Sequence, residues 1–167
     1  WIIRRMRDEG QFLDCREIKC APQVFIGAAA SPYASNPHIQ AMREEKKANA
    51  GAQFMQTNLV FDIDGFKEYF EALENRGVPS RIPILAGISP IRSVKAALAM
   101  RQVPGVKIPD RIIQRMEASA DPKEESVQIT LELIDQIKGL PGLRGIHFMA
   151  VGWESIVPRL IHESGLR

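Results

Sequence analysis

Two hydrophobic patterns alternate along the chain: short apolar runs, and longer segments in which apolar residues recur every three or four positions. The short runs predict strands at 23–30, 53–60, 81–88 and 145–151. The periodic segments predict helices at 1–9, 38–50, 64–76, about 90–103, 121–139 and 154–164, and a short helix that begins at residue 109. A kink is expected at Pro158 in the last helix. Strands that alternate with helices across short loops indicate a parallel α/β sheet.

Turn and capping residues set the limits of these elements. Asn36-Pro37, Ser89-Pro90 and Asp121-Pro122 each pair an N-cap residue with a first-turn proline, and Asp62 or Asp64 is expected to cap the third helix. Four strands suit either a small doubly wound sheet or half of a (β/α)8 barrel, which takes about 250 residues in full. The pattern alone leaves both open. No GxGxxG or GxxxxGK[ST] motif is present to hold a nucleotide.

Composition narrows the class of protein. The chain has 167 residues, 45% hydrophobic and 25% charged, as in an ordinary globular domain or a piece of one. The net charge of +2 comes from basic residues scattered among acids, which argues against a nucleic-acid partner. No apolar run approaches the roughly 18 residues of a membrane span. Cys15 and Cys20 have no second pair and are expected to be ordinary thiols without a metal.

A cluster of polar residues lies near the end of the second predicted strand. Gln56, Thr57 and Asn58 interrupt an otherwise apolar run. A strand that is buried on both faces reads as a near-continuous hydrophobic run, so three hydrogen-bonding side chains need an explanation. Ligands of parallel α/β proteins bind at the carboxyl ends of the strands. The pattern therefore predicts a ligand site at this end of the strand.

Three segments carry a resemblance to a known family: EKKANAGAQFMQTNLVFD at 45–62, PILAGISPI at 83–91 and GIHFMAVGWE at 145–154. Together with DEGQFLDCREIKCAPQVFIGAAASPYA at 8–34, they resemble methylenetetrahydrofolate reductases, in a branch found in bacteria such as acetogens. The resemblance implies a (β/α)8 barrel, of which residues 1–167 would be one partial domain, the C-terminal half with four parallel β/α units. Because the chain starts at Trp1, inside a predicted helix, we expect a fragment or a processed product.

The resemblance also implies a chemistry. The family reduces 5,10-methylenetetrahydrofolate to 5-methyltetrahydrofolate in one-carbon metabolism, with a flavin that passes on a hydride from NAD(P)H or another donor. FAD is expected, and FMN stays open. Gln56 matches a family glutamine beside the pterin, and a carboxamide suits a pterin edge that presents both donors and acceptors. Thr57, Asn58 and Trp153 are further candidates for folate contacts, and no residue of this chain is assigned as catalytic.

Candidate flavin contacts come from the first strand and the helix after it. Ala30 and Tyr33 lie where the family packs its backbone and loop against the flavin, and Lys46 and Lys47 lie where it places basic residues near the phosphates. The alternatives from the residues themselves are a plain loop aromatic for Tyr33 and a solvated helix face, paired with Glu44 and Glu45, for the lysines. His147 is interpreted as a satisfied interior residue.

Three functional hypotheses follow. The first is the reductase, located in the cytoplasm, with its N-terminal half-barrel absent or supplied by a complementary chain. The second is a non-catalytic half-barrel that acts as a scaffold or assembly subunit, and is expected to form oligomers because its edge strands are exposed. The third is another barrel enzyme that handles pterin or corrinoid methyl groups.

Overall fold

The four strands form one parallel sheet in the order β1-β2-β3-β4, in a computed structural model that describes residues 1–166. The strands are β1 (Gly27–Ala30), β2 (Phe54–Leu59), β3 (Ile84–Ile88) and β4 (Leu143–Phe148). The helices are α1 (Ile2–Asp8), α2 (Pro37–Asn49), α3 (Ile63–Glu74), α4 (Val78–Arg81), α5 (Val94–Met100), α6 (Asp110–Ala118), α7 (Pro122–Ile137) and α8 (Val157–Ser164), with a 3₁₀ turn at Glu154–Ile156.

The strand order decides between the two architectures that the sequence left open. Each strand pairs with the next one along the chain, and all three pairings are parallel. A doubly wound sheet reverses its strand order at a switch point, and the described sheet has no such reversal. The sequential order is that of consecutive β/α units in a (β/α)8 barrel.

The hydrophobic core lies between the sheet and its helices. Met55, Ile84, Ala86 and Ile88 project from the sheet into one continuous cluster of buried apolar residues. The helices contribute most of the rest of that cluster: Ala41, Ile63, Phe66, Tyr69, Phe70, Leu73, Ala97, Ile112, Ile113, Met116, Ile134 and Ile137. This burial fixes which side of each strand faces the helices, and so leaves the other side for ligands.

Most of the predicted caps are present. The Asn36 side chain accepts from His38 N–H, Asp62 accepts from Gly65 N–H, and Asp121 accepts from both Lys123 and Glu124 N–H. The predicted Ser89-Pro90 helix start was wrong. Ser93 caps α5 instead, because the Ser89 hydroxyl donates to the Met149 carbonyl at 2.8 Å and ties β3 to the end of β4.

Four element predictions needed correction. β1 begins at Gly27, not at residue 23, because β2 has no ladder partner for the residues before Gly27. β4 ends at Phe148 because the chain turns there, with Trp153 N–H on the Ala150 carbonyl. The short helix α4 was not predicted. Pro158 lies in the first turn of α8, where it starts the helix and does not kink it.

The pairing of β2 with β3 contains one irregularity. Gln56 is opposite Leu85 and Leu59 is opposite Gly87, so two residues of β2 occupy the space of one on β3. This is the arrangement of a β-bulge, which leaves one residue unpaired and increases the local twist. The two residues that oppose one on β3 are Thr57 and Asn58, which are two of the three polar residues that the sequence singled out.

Candidate functional site

A pocket of about 490 Å³ lies on the side of the sheet away from the helices, toward the carboxyl ends of β1 and β2. We call this side of the sheet the inner face; Gly27, Ala29, Phe54, Gln56, Leu85, Gly87, Gly145 and His147 share it through the strand register. The pocket is lined by 27–31, Phe54, 56–58, His147 and Met149. The predicted polar cluster is therefore part of a pocket wall.

Gln56 lies at the centre of that wall. Its backbone is opposite Ala29 on β1 and Leu85 on β3, and its half-buried side chain makes no hydrogen bond to another residue within 1–166. Because Ala29 is small, the neighbouring strand leaves space beside the Gln56 carboxamide. The amide is therefore free to offer both a donor and an acceptor to a ligand.

Asn58 lies one pleat nearer the carboxyl end and also lines the pocket. Its Oδ1 accepts the N–H of Leu59 at 2.9 Å. Its Nδ2 lies beside Gly105, where an added Cβ would be 3.2 Å away. One end of this carboxamide is thus held by the backbone, and the NH₂ end retains donor capacity.

Thr57 differs from its two neighbours because its side chain is buried, with 2% of the residue exposed. Its Oγ1 accepts the Gly87 N–H at 2.9 Å and donates to the Asn58 carbonyl at 2.8 Å. The hydroxyl is committed to the sheet at the bulge, so the structure gives no support to the direct folate contact that was predicted for Thr57.

His147 is a pocket residue that the sequence interpretation missed. It lies on the inner face opposite Gly87, and its Nδ1 is buried without a hydrogen-bond partner in the part of the chain described. The expectation of a satisfied interior histidine was therefore wrong. The sequence could have indicated this role through the position of His147 on the inner face of β4. Which face His147 projects from could be decided, however, only after the limits of β4 were observed.

The β1 side of the pocket is built from small residues. Gly27 and Ala29 face the pocket, while Ala30, which is also among the lining residues, is buried with 1% exposed. The Phe54 ring lies across Gly27 so closely that a Cβ there would overlap it, and it stacks on Phe25 at 5.4 Å. The result is a flat, apolar shelf.

A buried carboxylate fixes the loop that follows this shelf. Glu44 of α2 is fully buried, and it accepts from the Ser31 N–H at 3.3 Å and from Lys47 Nζ at 2.6 Å. Lys47 Nζ also donates to the Ala29 carbonyl at 2.7 Å. Lys47 is thus used in holding β1 to α2, whereas Lys46 is exposed on the same helix.

Tyr33 connects two loops at the carboxyl edge. Its hydroxyl donates to the Asp62 carbonyl at 2.7 Å, and its ring packs against the core. Burial raises the pKa of the Tyr33 hydroxyl well above its ordinary value, and the Asp62 carboxylate raises it further, so the group remains a donor. Tyr33 does not line the pocket.

Trp153 is separated from the inner-face pocket. It packs in a small apolar cluster with Val127, Ala150 and Leu160, and Lys123 Nζ lies 5.0 Å above its ring. The loop that carries Trp153 follows β4 at the correct edge of the sheet, but the side chain is directed to α7 and α8. The predicted folate contact of Trp153 stays a prediction that this geometry does not favour.

A sequential parallel sheet with helices on one face and a polar pocket at its carboxyl end is the arrangement of the (β/α)8-barrel class. Comparison with known proteins makes this specific. The family model for methylenetetrahydrofolate reductase matches residues 11–165. The chain therefore belongs to the methylenetetrahydrofolate reductase family.

Named relatives belong to the same family, at low sequence identity to this chain. The chain is 24% identical over 174 residues to methylenetetrahydrofolate reductase 2 of Schizosaccharomyces pombe, covering 99% of this chain and 27% of that protein. It is 22% identical over 139 residues to 5,10-methylenetetrahydrofolate reductase of Escherichia coli, covering 81% and 46%. The chain thus spans between about a quarter and a half of the length of these relatives.

A solved structure shares the fold. An uncharacterized protein from Clostridium thermocellum, which binds two copies of 5-methyl-5,6,7,8-tetrahydrofolic acid, superposes with a TM-score of 0.63 at 16% identity. The match covers 98% of this chain and 68% of that one. Within residues 1–166, none of the helices has the length and apolar character needed to cross a membrane.

Proposed function

We propose that this chain provides the folate-binding wall and part of the flavin cradle of a 5,10-methylenetetrahydrofolate reductase that acts in cytoplasmic one-carbon metabolism. The observation that carries the proposal is the pair of carboxamides, Gln56 and Asn58, on one wall of the inner-face pocket. Family membership supports the proposed reaction, and the folate bound by the Clostridium thermocellum protein of similar fold supports the ligand class.

The two carboxamides suit the edge of a pterin ring. That edge presents alternating nitrogen, amino and carbonyl groups, and a free carboxamide can pair with a donor and an acceptor together. Gln56 provides both groups, whereas Asn58 provides its NH₂ because Leu59 occupies its oxygen. His147 lines the same pocket from β4, and its buried Nδ1 has no hydrogen-bond partner among residues 1–166.

The β1 side of the pocket partly suits a flavin ring, in both shape and chemistry. Ala29 leaves space beside Gln56, while the Phe54 ring lies over Gly27 and adds an apolar surface. The exposed Lys46 on α2 is a candidate cation for a phosphate, as FAD or FMN would require. Lys47 contributes mainly by holding Ala29 in place. A bound flavin would supply hydride transfer, with NAD(P)H or another reduced donor as its source.

The protein's own contribution would be position and exclusion of water. Gln56 and Asn58 would orient the pterin edge, and the small residues of β1 would leave room for the flavin ring beside it. Such pre-organisation converts an encounter between two ring systems into a reaction at fixed geometry. No side chain of this chain needs to carry the reducing electrons.

The test is a calorimetric titration of 5-methyltetrahydrofolate into the wild-type chain and three variants. Gln56→Ala and Asn58→Ala should each raise Kd by roughly three- to tenfold, the usual effect of one lost hydrogen bond. Gln114→Ala, an exposed glutamine on α6, should leave Kd unchanged. Equal affinity in all four proteins would contradict the assignment of the pocket. Whether the chain binds flavin is tested separately, by a visible absorption spectrum of the purified chain.

A second role is favoured by the open edges of the sheet. β1 and β4 each pair on one side within the described sheet, and Phe25 and Trp1 are 68% and 66% exposed near β1. We propose that further strands, from an N-terminal half-barrel or a complementary chain, pair with these edges. Sedimentation of the isolated chain should show oligomers, and a stable monomer would contradict this role.

A further inference from the structure

The bulge in β2 places a buried hydroxyl directly behind the pocket. In a regular parallel ladder, the Gly87 N–H would donate to a β2 carbonyl. Here it donates to Thr57 Oγ1 at 2.9 Å, and the same hydroxyl donates to the Asn58 carbonyl at 2.8 Å. One side chain therefore replaces the missing ladder bond and holds the residue that follows it.

The backbone around this hydroxyl is unusually close-packed. A Cβ on Gly87 would lie 2.5 Å from the Thr57 carbonyl oxygen, 2.7 Å from Met149 Cε and 3.0 Å from the Asn58 carbonyl oxygen. The bulged segment thus rests on the Gly87 backbone, and only glycine allows that approach. Val60 N–H then donates to the Gly87 carbonyl at 2.8 Å, which restores regular pairing after the bulge.

We infer that Thr57 is a positioning residue: its hydroxyl maintains the bulge and thereby sets the direction in which the Asn58 carboxamide enters the pocket. β-Bulges commonly re-aim side chains beside functional sites. Without the Oγ1 bridge, the buried Gly87 N–H has no partner, and β2 would recover one by shifting its register. Such a shift would move Asn58, whose Oδ1 has the adjacent Leu59 N–H as its one hydrogen-bond donor among residues 1–166.

This inference rests on the proposed folate site. It predicts different effects on folate binding for two substitutions of Thr57, which a threonine with a merely structural role would not show. Thr57→Val keeps the shape of the side chain and removes the hydroxyl, while Thr57→Ser keeps the hydroxyl and removes a methyl group. Thr130 of α7 offers a matched control, because it is equally buried and its hydroxyl donates to the Ser126 carbonyl far from the pocket.

The experiment measures folate binding and backbone geometry in the full chain. Calorimetry with 5-methyltetrahydrofolate should show Thr57→Val weaker by roughly tenfold, Thr57→Ser close to wild type, and Thr130→Val unchanged. In ligand-free protein, NMR should show the Gly87 amide exchanging with solvent at least roughly tenfold faster in Thr57→Val, with shifted Leu59 and Asn58 signals.

Two results would overturn the inference. One is a Thr57→Val protein with wild-type affinity under conditions in which Asn58→Ala is weakened. The other is unchanged Gly87 exchange and unchanged Leu59 and Asn58 signals in Thr57→Val. The second readout needs no ligand, so it decides the role of Thr57 even if the wild-type chain binds no folate, in which case the proposed function fails by itself.

Discussion

The two faces of the sheet are built from the same four strands but have opposite properties. On the helix side, Met55, Ile84 and Ile88 are completely buried in a continuous core. On the inner face, the Gln56 side chain and His147 Nδ1 make no hydrogen bond among residues 1–166, and glycine or alanine occupies much of the remaining surface. The difference shows that stability is concentrated on one face, which leaves the other available for ligand recognition.

The largest expected effect comes from breaking the helix-side core. Met55→Ala should lower the free energy of unfolding by about 3 kcal/mol, because it removes a fully buried side chain and leaves a cavity. Leu98→Ala, on an exposed position of α5, should change it by less than about 0.5 kcal/mol. Chemical denaturation measures both, and comparable losses would show that burial does not divide the molecule as described.

The next effect concerns the junction between the two faces. Gly87→Ala should cost about 2 kcal/mol, because the added methyl group would meet backbone oxygens that cannot move aside. Gly139→Ala is the control, since an added Cβ there meets nothing within 4 Å. Thermal unfolding of both variants checks this, and a Gly87→Ala protein as stable as Gly139→Ala would refute the close approach at the bulge.

A smaller effect distinguishes the two buried tyrosines. Tyr33→Phe should cost about 1 kcal/mol, because it removes the hydrogen bond from the Tyr33 hydroxyl to the Asp62 carbonyl, which then keeps only the Phe66 N–H as a donor within residues 1–166. Tyr69→Phe should be neutral or slightly stabilising, since the Tyr69 hydroxyl is buried without a partner within the described chain. If Tyr33→Phe instead lowered flavin content at unchanged stability, the original expectation of a cofactor contact would be right.

The smallest effect depends on pH. Arg115 donates to Glu132 and lowers its pKa below the ordinary 4.5, so the folded state binds the proton less readily than the unfolded state. This contribution is present above pH 4.5 and is lost as pH falls through the lower folded-state value. Because both side chains are largely exposed, Arg115→Gln should cost only about 0.5 kcal/mol at neutral pH.

Denaturation at two pH values checks this prediction. The difference between wild type and Arg115→Gln should shrink as pH falls below 4.5, because the Glu132 carboxylate that pairs with Arg115 takes up a proton. Arg111→Gln, one turn earlier on α6, is the control because Arg111 makes no ion pair in the part of the chain described. A difference that persists at low pH would mean that Arg115 acts through packing and not through charge.

Local sequence signals predicted much of the fold. The caps at Asn36, Asp62 and Asp121 set helix starts correctly, because a capping side chain acts over three or four residues. The limits of β1 and β4 were missed, since they depend on which residues a neighbouring strand can pair with. Sequence reasoning also could not choose the architecture, which required the order of strands in space.

The candidate site was predicted in outline but not in detail. The polar residues at the end of β2 were recognised, yet their roles separate only in three dimensions. All three line the pocket, but the Thr57 hydroxyl is bonded within the sheet at the bulge, while the carboxamides of Gln56 and Asn58 keep groups for a ligand. His147 was misjudged because the partners of a strand histidine lie on other elements. Trp153 was assigned from its position in the chain, but its ring packs against α7 and α8.

The central claim is that the inner face at the carboxyl end of β2 binds the pterin of a folate. The most direct measurement is a titration of isotope-labelled chain with 5-methyltetrahydrofolate, followed by NMR. The account predicts that the side-chain amide signals of Gln56 and Asn58 shift together with the imidazole of His147, while that of Gln114 on α6 stays fixed. Shifts confined to the helices, or none at saturating ligand, would contradict it.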